Sequence, residues 1–223
     1  MQTNRTHRGL AAALLATPVL WVVAEVVSPP LRSDGAAQLA VIAREPDRWY
    51  WYTILLIAGM ITLVPAAFAV ARVTADRTPR LASFGAALVS LSAIIGAGDA
   101  ITQLLTWQMA MPGADRTQMA ALLERFDNAA GASLVFLPGM LALLIGGGLL
   151  TAALVRSRAV PAWAAAGLEA AFVVNIVGFM SASTVVVAAS GVLLLPVAVL
   201  VARRLAGVRE PRSAVSVAPV AAS

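Results

Sequence analysis

The sequence predicts an all-α fold: a polytopic membrane helical bundle of about six transmembrane helices, with two outer amphipathic interfacial helices. Three observations predict it. Of 223 residues, 60% are hydrophobic and only 12% charged, where soluble domains carry roughly 25% charged residues. Six stretches reach the ~20 mainly apolar residues that a hydrocarbon-spanning helix needs, at 9–28, 50–72, 81–108, 132–155, 160–180 and 184–202. The segments between them are too short for a separate soluble domain, so 1–223 reads as one integral membrane domain, with 203–223 as a disordered tail.

The first span follows Arg5 and Arg8, as the core of a signal peptide would. Its apolar run exceeds the usual h-region and no clean small-x-small site precedes Glu25, so it reads as a retained helix. In the segment 29–49, residues 36–44 form a short, weakly amphipathic helix. The second span opens on Trp49, Tyr50, Trp51 and Tyr52 after Pro46, and the third ends on Trp107. These positions match an aromatic belt at the outer interface, which favours anchoring over ligand stacking, and Trp163 sits near the inner surface. In 115–127, Met119, Leu122, Leu123 and Phe126 recur at i, i+3, i+4 and i+7 while Arg116, Glu124 and Asp127 take other faces. That pattern is an amphipathic helix lying in the interface. Both short helices are expected over the outer end, either lidding a pocket or merely connecting spans.

Orientation follows from the arginines near the span ends. One side holds Arg5, Arg8, Arg72, Arg77, Arg80, Arg156, Arg158, Arg203, Arg204, Arg209 and Arg212; the other holds Arg32, Arg44, Arg48, Arg116 and Arg125. The richer side is expected to be cytoplasmic, which puts both termini inside a cell membrane. The sequence pI near 11.2 then reflects topology and anionic lipid headgroups, and no nucleic-acid partner is implied.

A shift of 80 positions aligns Gln38 with Gln118, Ala40 with Ala120, Asp47 with Asp127, Gly59 with Gly139 and Met60 with Met140. Two residues later in register, Pro79 meets Pro161 and Gly85 meets Gly167. The shift spans two helices, which suggests parallel duplication of helix-hairpin units rather than inverted repeats. Chance similarity in an Ala/Gly/Leu-rich chain is the alternative.

Several chemistries lack their residues. There is no lysine, no cysteine and one histidine, His7, so disulfides, thiol nucleophiles, Fe–S clusters and histidine-held haem or zinc are excluded or nearly without ligands. No phosphate-cradling loop, HExxH, GxSxG, DDxxD or DxDD motif occurs, and no metal or other cofactor is implied. The runs Gly96-Ala97-Gly98 and Gly146-Gly147-Gly148 lie inside spans and read as helix-packing glycines.

Three carboxylates lie within the spans: Glu25, Asp99 and Glu169. An acid near the bilayer centre costs ~2.5–3.5 kcal/mol or more, so each is a candidate catalytic residue. At ~1.5 Å per residue, Glu169 is about 16 Å beyond Arg158, near the midplane, whereas Glu25 and Asp99 fall in the outer third. No cation is available at the depth of Glu169, and burial disfavours its charged form. It therefore reads as a neutral acid able to donate a proton. Glu25 and Asp99 could instead be met by Arg32, Arg44 or Arg48 from the outer loop.

Candidate substrate-binding residues surround these acids. Ser92, Gly96, Asp99, Gln103 and Thr106 fall at spacings of three and four, a polar stripe that faces either a wet cavity or neighbouring helices as hydrogen-bonding glue. Trp21 sits one turn below Glu25, and Trp107 offers a second π-face. Asn175 lies about 120° round its helix from Glu169, so the two should meet different neighbours.

Three functions fit this inventory. A neutral acid in an apolar pocket can protonate an alkene or epoxide of a lipophilic isoprenoid-type molecule, with a second carboxylate and aromatic faces stabilising the carbocation. In size and in its buried Glu and Asp residues, the chain resembles the small integral-membrane terpene cyclases of meroterpenoid and indole-terpenoid pathways. That resemblance implies acid-initiated cyclisation without a metal, and it carries over no residue role by position. The lysine-free, Ala/Arg-rich composition equally resembles small multi-helix membrane proteins of high-GC actinobacteria. Alternatively Glu169 and Asp99 are stations of a proton-coupled transporter, for which a homo-oligomer would help enclose the path. The third option is a structural or regulatory membrane subunit. In every case the partners are the lipid bilayer and, for the first two, a small molecule.

Overall fold

A computed structural model describes residues 2–32 and 34–207. The calls on the tail beyond 207, including Arg209 and Arg212, lie outside the described residues, as do the side chains of Arg5 and Asp127. Eight helices follow in order: α1 (Gln2–Val27), α2 (Gly35–Arg44), α3 (Pro46–Thr74), α4 (Pro79–Met109), α5 (Arg116–Asp127), α6 (Ala130–Ser157), α7 (Ala162–Met180) and α8 (Thr184–Gly207). Six of them are long and apolar enough to cross a membrane, and they coincide with the six expected spans. The last helix continues through Arg203 and Arg204 to Gly207, into the segment expected to be a tail.

Local sequence explains the boundaries. Asp34 and Asp115 are the N-caps of the two short helices: the Asp34 carboxylate accepts from the Ala37 N–H at 2.7 Å, and Asp115 accepts from Thr117 and Gln118 at 3.0 and 3.2 Å. Each thereby satisfies donors that a helix start leaves open. Pro46 and Pro79 open α3 and α4, where a missing N–H costs nothing. At the far end of α1, Arg48 donates to the carbonyls of Val27 and Ser28 at 3.0 and 2.9 Å while pairing with Glu45. A cation on terminal carbonyls complements the helix dipole. Prolines 18, 65, 138 and 196 lie inside spanning helices, which membrane helices tolerate when neighbours re-satisfy the freed groups.

The six long helices pack in a closed ring, α1–α3–α4–α6–α7–α8 and back to α1, with the sparsest contact at the α6–α7 seam. The larger apolar core lies inside this ring and draws on Leu63, Val89, Leu150, Phe172 and Val201. A second core lies at the end where the short helices sit, and it contains Leu39, Ile42, Trp49, Tyr52 and Leu56.

The short helices touch each other across that end. They differ more than the sequence suggests. Expected to be the weaker amphipath, α2 has the more one-sided apolar face of the two, and it buries Gln38, Leu39 and Ile42, as a helix with an apolar stripe against a core does. The less one-sided α5 stays at the surface, with Leu122 and Phe126 about two-fifths exposed (41% and 43%).

The order long, short, long occurs twice, in α1–α2–α3 and α4–α5–α6, the order that the 80-residue shift implies. A Cβ at Gly59 on α3 would fall 2.6 Å from the Trp21 ring of α1, and one at Gly139 on α6 would fall 2.9 Å from Ile95 of α4. Aligned glycines thus receive a side chain from the equivalent helix of their own unit.

Candidate functional site

Two cavities that share lining residues lie among the long helices. The inner chamber, about 200 Å³, is walled mainly by Trp21, Met60, Phe136, Met140 and Phe179, with Ser92, Asp99 and Asn175 as its polar residues. Repeat-related residues line it as pairs: Leu56 with Phe136, Met60 with Met140 and Leu63 with Leu143, each 80 positions apart. The outer cleft, about 750 Å³, lies under the short helices, with Leu122, Leu123 and Phe126 of α5 and Gln38 of α2 in its wall. Both short helices therefore cover a pocket rather than only connecting spans.

Asp99 lines both cavities, along with Phe136, Met140 and Phe179. It stands where the apolar chamber meets the more polar cleft, which adds Arg32, Thr102, Gln103 and Thr106. The whole stripe expected on this helix faces the two spaces: Ser92, Gly96 and Asp99 the chamber, and Asp99, Gln103 and Thr106 the cleft. Thr102 and Thr106 return their hydroxyl protons to backbone carbonyls of Asp99 and Thr102, at 2.7 and 3.1 Å. These two threonines are thus satisfied along their own helix, a usual way for membrane helices to carry hydroxyls.

Glu25 sits beside this site rather than in its wall. It is 5% exposed, and neither carboxylate oxygen has a hydrogen-bond partner. None of the three arginines expected to meet it does so: Arg48 is spent on Glu45 and the carbonyls of Val27 and Ser28, Arg44 is exposed, and Arg32 enters the cleft wall with Asp99. Trp21, one turn from Glu25, presents its ring to the chamber, and its indole nitrogen is buried without a partner.

Asn175 and Glu169 do meet different neighbours. The Asn175 amide lines the chamber and donates to Ser190 on α8 at 3.2 Å. Glu169 lies on the α6–α7 seam against the glycine run, so close that a Cβ on Gly147 would fall 2.6 Å from its Oε2. That oxygen is buried without a partner. Glu169 lines neither cavity, and neither does Trp107, whose ring packs against Tyr50 at 5.3 Å.

The residue that sequence reading placed elsewhere is Tyr52. Of the aromatic cluster at the start of α3, only Trp51 points outward as a belt residue should, at 58% exposure, while Trp49 and Tyr52 are each 2% exposed. Trp49 donates its indole N–H to the Gln103 carbonyl at 3.0 Å, and both rings line the cleft. Their i, i+3 spacing was the available signal, since residues three apart share a helix face.

No protein-family model, curated protein or solved structure matches the chain. Fold and cavity together define its class as a polytopic helical membrane protein with an acid-lined internal cavity. Among the described residues, no group of three potential metal ligands comes together.

Proposed function

We propose that the protein is an intramembrane enzyme that takes a lipophilic, isoprenoid-type substrate into the cleft and chamber and starts its cyclisation with a proton from Asp99. One observation supports this above the others: a single carboxyl, Asp99, borders both an apolar aromatic chamber and a polar cleft. An acid so placed reaches a substrate whose apolar chain fills the chamber.

The chemistry balances without a cofactor. The Asp99 O–H protonates an alkene carbon or an epoxide oxygen, the π bond or C–O bond supplies the electron pair, and a carbocation results. A second alkene closes the ring by forming a C–C bond. Loss of a proton from the final cation to the Asp99 carboxylate restores the acid, so the net change is an isomerisation. Trp21, Phe136 and Phe179 offer π-faces to the cationic intermediates, and the apolar wall excludes water that would quench them. On this reading the arginine bias places the short helices at the outer face and both termini in the cytoplasm.

Reading Glu169 and Asp99 as successive stations of one transport path draws no such support, because Glu169 is on the α6–α7 seam and lines neither space. The test is product formation. Purified protein in proteoliposomes is incubated with polyprenyl alkenes and terminal epoxides, and cyclic isomers are sought by mass spectrometry. Wild type is expected to convert at least one probe, and Asp99→Asn to lose about 10²–10⁴-fold of that rate, the usual worth of a positioned acid. Equal rates in both proteins would remove Asp99 from the reaction.

A further inference from the structure

We infer that the end of the chamber away from the cleft is a hydroxyl-binding site, and that the molecule it takes is a lipophilic alcohol whose O–H donates to Asn175 Oδ1. This rests on the enzyme reading in treating that alcohol as the substrate, and it narrows the substrate class.

Packing within the α7–α8 hairpin fixes which way the Asn175 amide points. Gly178 lets the two helices come close: a Cβ there would fall 2.6 Å from the Val187 side chain and 2.7 Å from its backbone nitrogen. One helical turn deeper into the hairpin, Asn175 meets Ser190, and its Nδ2 donates to the hydroxyl oxygen at 3.2 Å. A serine has a single proton to give, and that of Ser190 goes to the Val187 carbonyl at 2.6 Å, the shorter of the two bonds. Ser190 is fully buried and can therefore only accept from Asn175. The amide must turn Nδ2 to α8 and keep Oδ1 for its other side.

That other side is the chamber. Asn175 is 7% exposed and lines the chamber wall, and its Oδ1 accepts no hydrogen bond among the described residues. Unlike the unpartnered Trp21 nitrogen and Glu25 oxygens, Oδ1 is not sealed off, so a molecule in the chamber can reach it. An amide oxygen in a mainly apolar wall is costly unless a donor meets it, and a ligand hydroxyl is such a donor. Ser92 carries its own hydroxyl in the same chamber and can donate to the oxygen of that alcohol. Both residues lie on the side away from the cleft: Asn175 is one turn from Phe179, which lines both cavities, and Ser92 is two turns from Asp99. Seven residues of helix rise about 10 Å. An alcohol anchored there runs past Trp21 and Met60 toward the cleft, and Asp99 meets its chain part-way along rather than at the hydroxyl.

The test compares binding to the full-length protein in phosphatidylcholine nanodiscs, with the signal of empty nanodiscs subtracted. Unlabelled farnesol and farnesyl methyl ether compete against tritiated farnesol. The ether keeps the chain and an acceptor oxygen but has no O–H, so it leaves Oδ1 unmet. Wild type is expected to bind farnesol about tenfold more tightly than the ether, the scale of one buried polar group left unpaired. Asn175→Leu removes the acceptor at similar volume and is expected to hold the two alike. Ser190→Ala keeps the acceptor but frees the amide to turn, and it is expected to narrow the preference severalfold; this variant decides if Asn175→Leu does not fold. A wild-type protein that binds farnesol and its ether alike, or binds neither, overturns the site. So does an undiminished alcohol preference in folded Asn175→Leu or in Ser190→Ala. Binding is read without turnover, so the two ideas fail separately. Alcohol preference with equal product yield from wild type and Asp99→Asn keeps the hydroxyl site and sinks the enzyme reading, and Asp99-dependent turnover without the preference does the reverse.

Discussion

Asp99 and Glu169 are both carboxyls inside spanning helices, yet the structure gives them opposite surroundings. Asp99 opens onto two cavities, of about 200 and 750 Å³. Glu169 is pressed onto Gly147 in the sparsest seam of the ring. Membrane depth alone ranks Glu169 first, since it is nearer the midplane. What the difference teaches is that access outranks depth: an acid can react only with what can be brought beside it.

The sharpest way to break this comparison is to neutralise each acid in turn. Asp99→Asn should lose about 10²–10⁴-fold in turnover, whereas Glu169→Gln should keep turnover within a few-fold of wild type, both followed by product yield in proteoliposomes. A reversal, with Glu169→Gln inactive and well folded, would mean the seam is the working site. Next in size, Ser92→Phe pushes a ring into the chamber and should cut turnover by about 10–10²-fold, the scale of misfit in an apolar pocket. Its thermal unfolding in detergent should stay near wild type, because the added ring enters existing space.

The seam is expected to respond in stability instead. A side chain at Gly147 would fall 2.5 Å from Phe172 and 2.6 Å from Glu169, so Gly147→Val should cost about 1–3 kcal/mol by overpacking, read as a lower unfolding temperature. Smallest of all, Thr17→Val removes the hydroxyl that bonds Thr62 across α1 and α3 at 3.0 Å, an interaction of about 0.6 kcal/mol within membranes. Its turnover should be unaltered.

Much of the architecture is legible in the sequence because a bilayer imposes length and composition on every span. The six spans follow from apolar length and the short helices and the polar stripe of α4 from periodicity, whereas the cavity that the stripe faces was only one of two readings. The rest depends on which helices become neighbours. Tyr52 sits where a belt residue belongs, and only the packing of α2 and α4 against α3 turns it inward. The partner of Glu169 is equally hidden, since a run of three glycines does not announce which helix will lie on it. Met60 and Met140 are visible as a repeat match, but their meeting across one chamber requires the closed ring. Arg48 was a candidate counter-ion for Glu25 by distance along the chain, and the helix carbonyls of Val27 and Ser28 compete for it successfully.

The central claim is that a carboxyl proton is placed on a carbon of a lipophilic substrate within this cavity, and deuterium labelling tests it most directly. Asp99 borders the polar cleft, so its proton exchanges with solvent between turnovers, and proteoliposomes equilibrated in D₂O and supplied with a polyprenyl alkene should yield a cyclic isomer with one carbon-bound deuterium per molecule. Asp99→Asn should yield none above background. A cyclic product without deuterium, or equal labelling by the Asp99→Asn protein, would contradict the account.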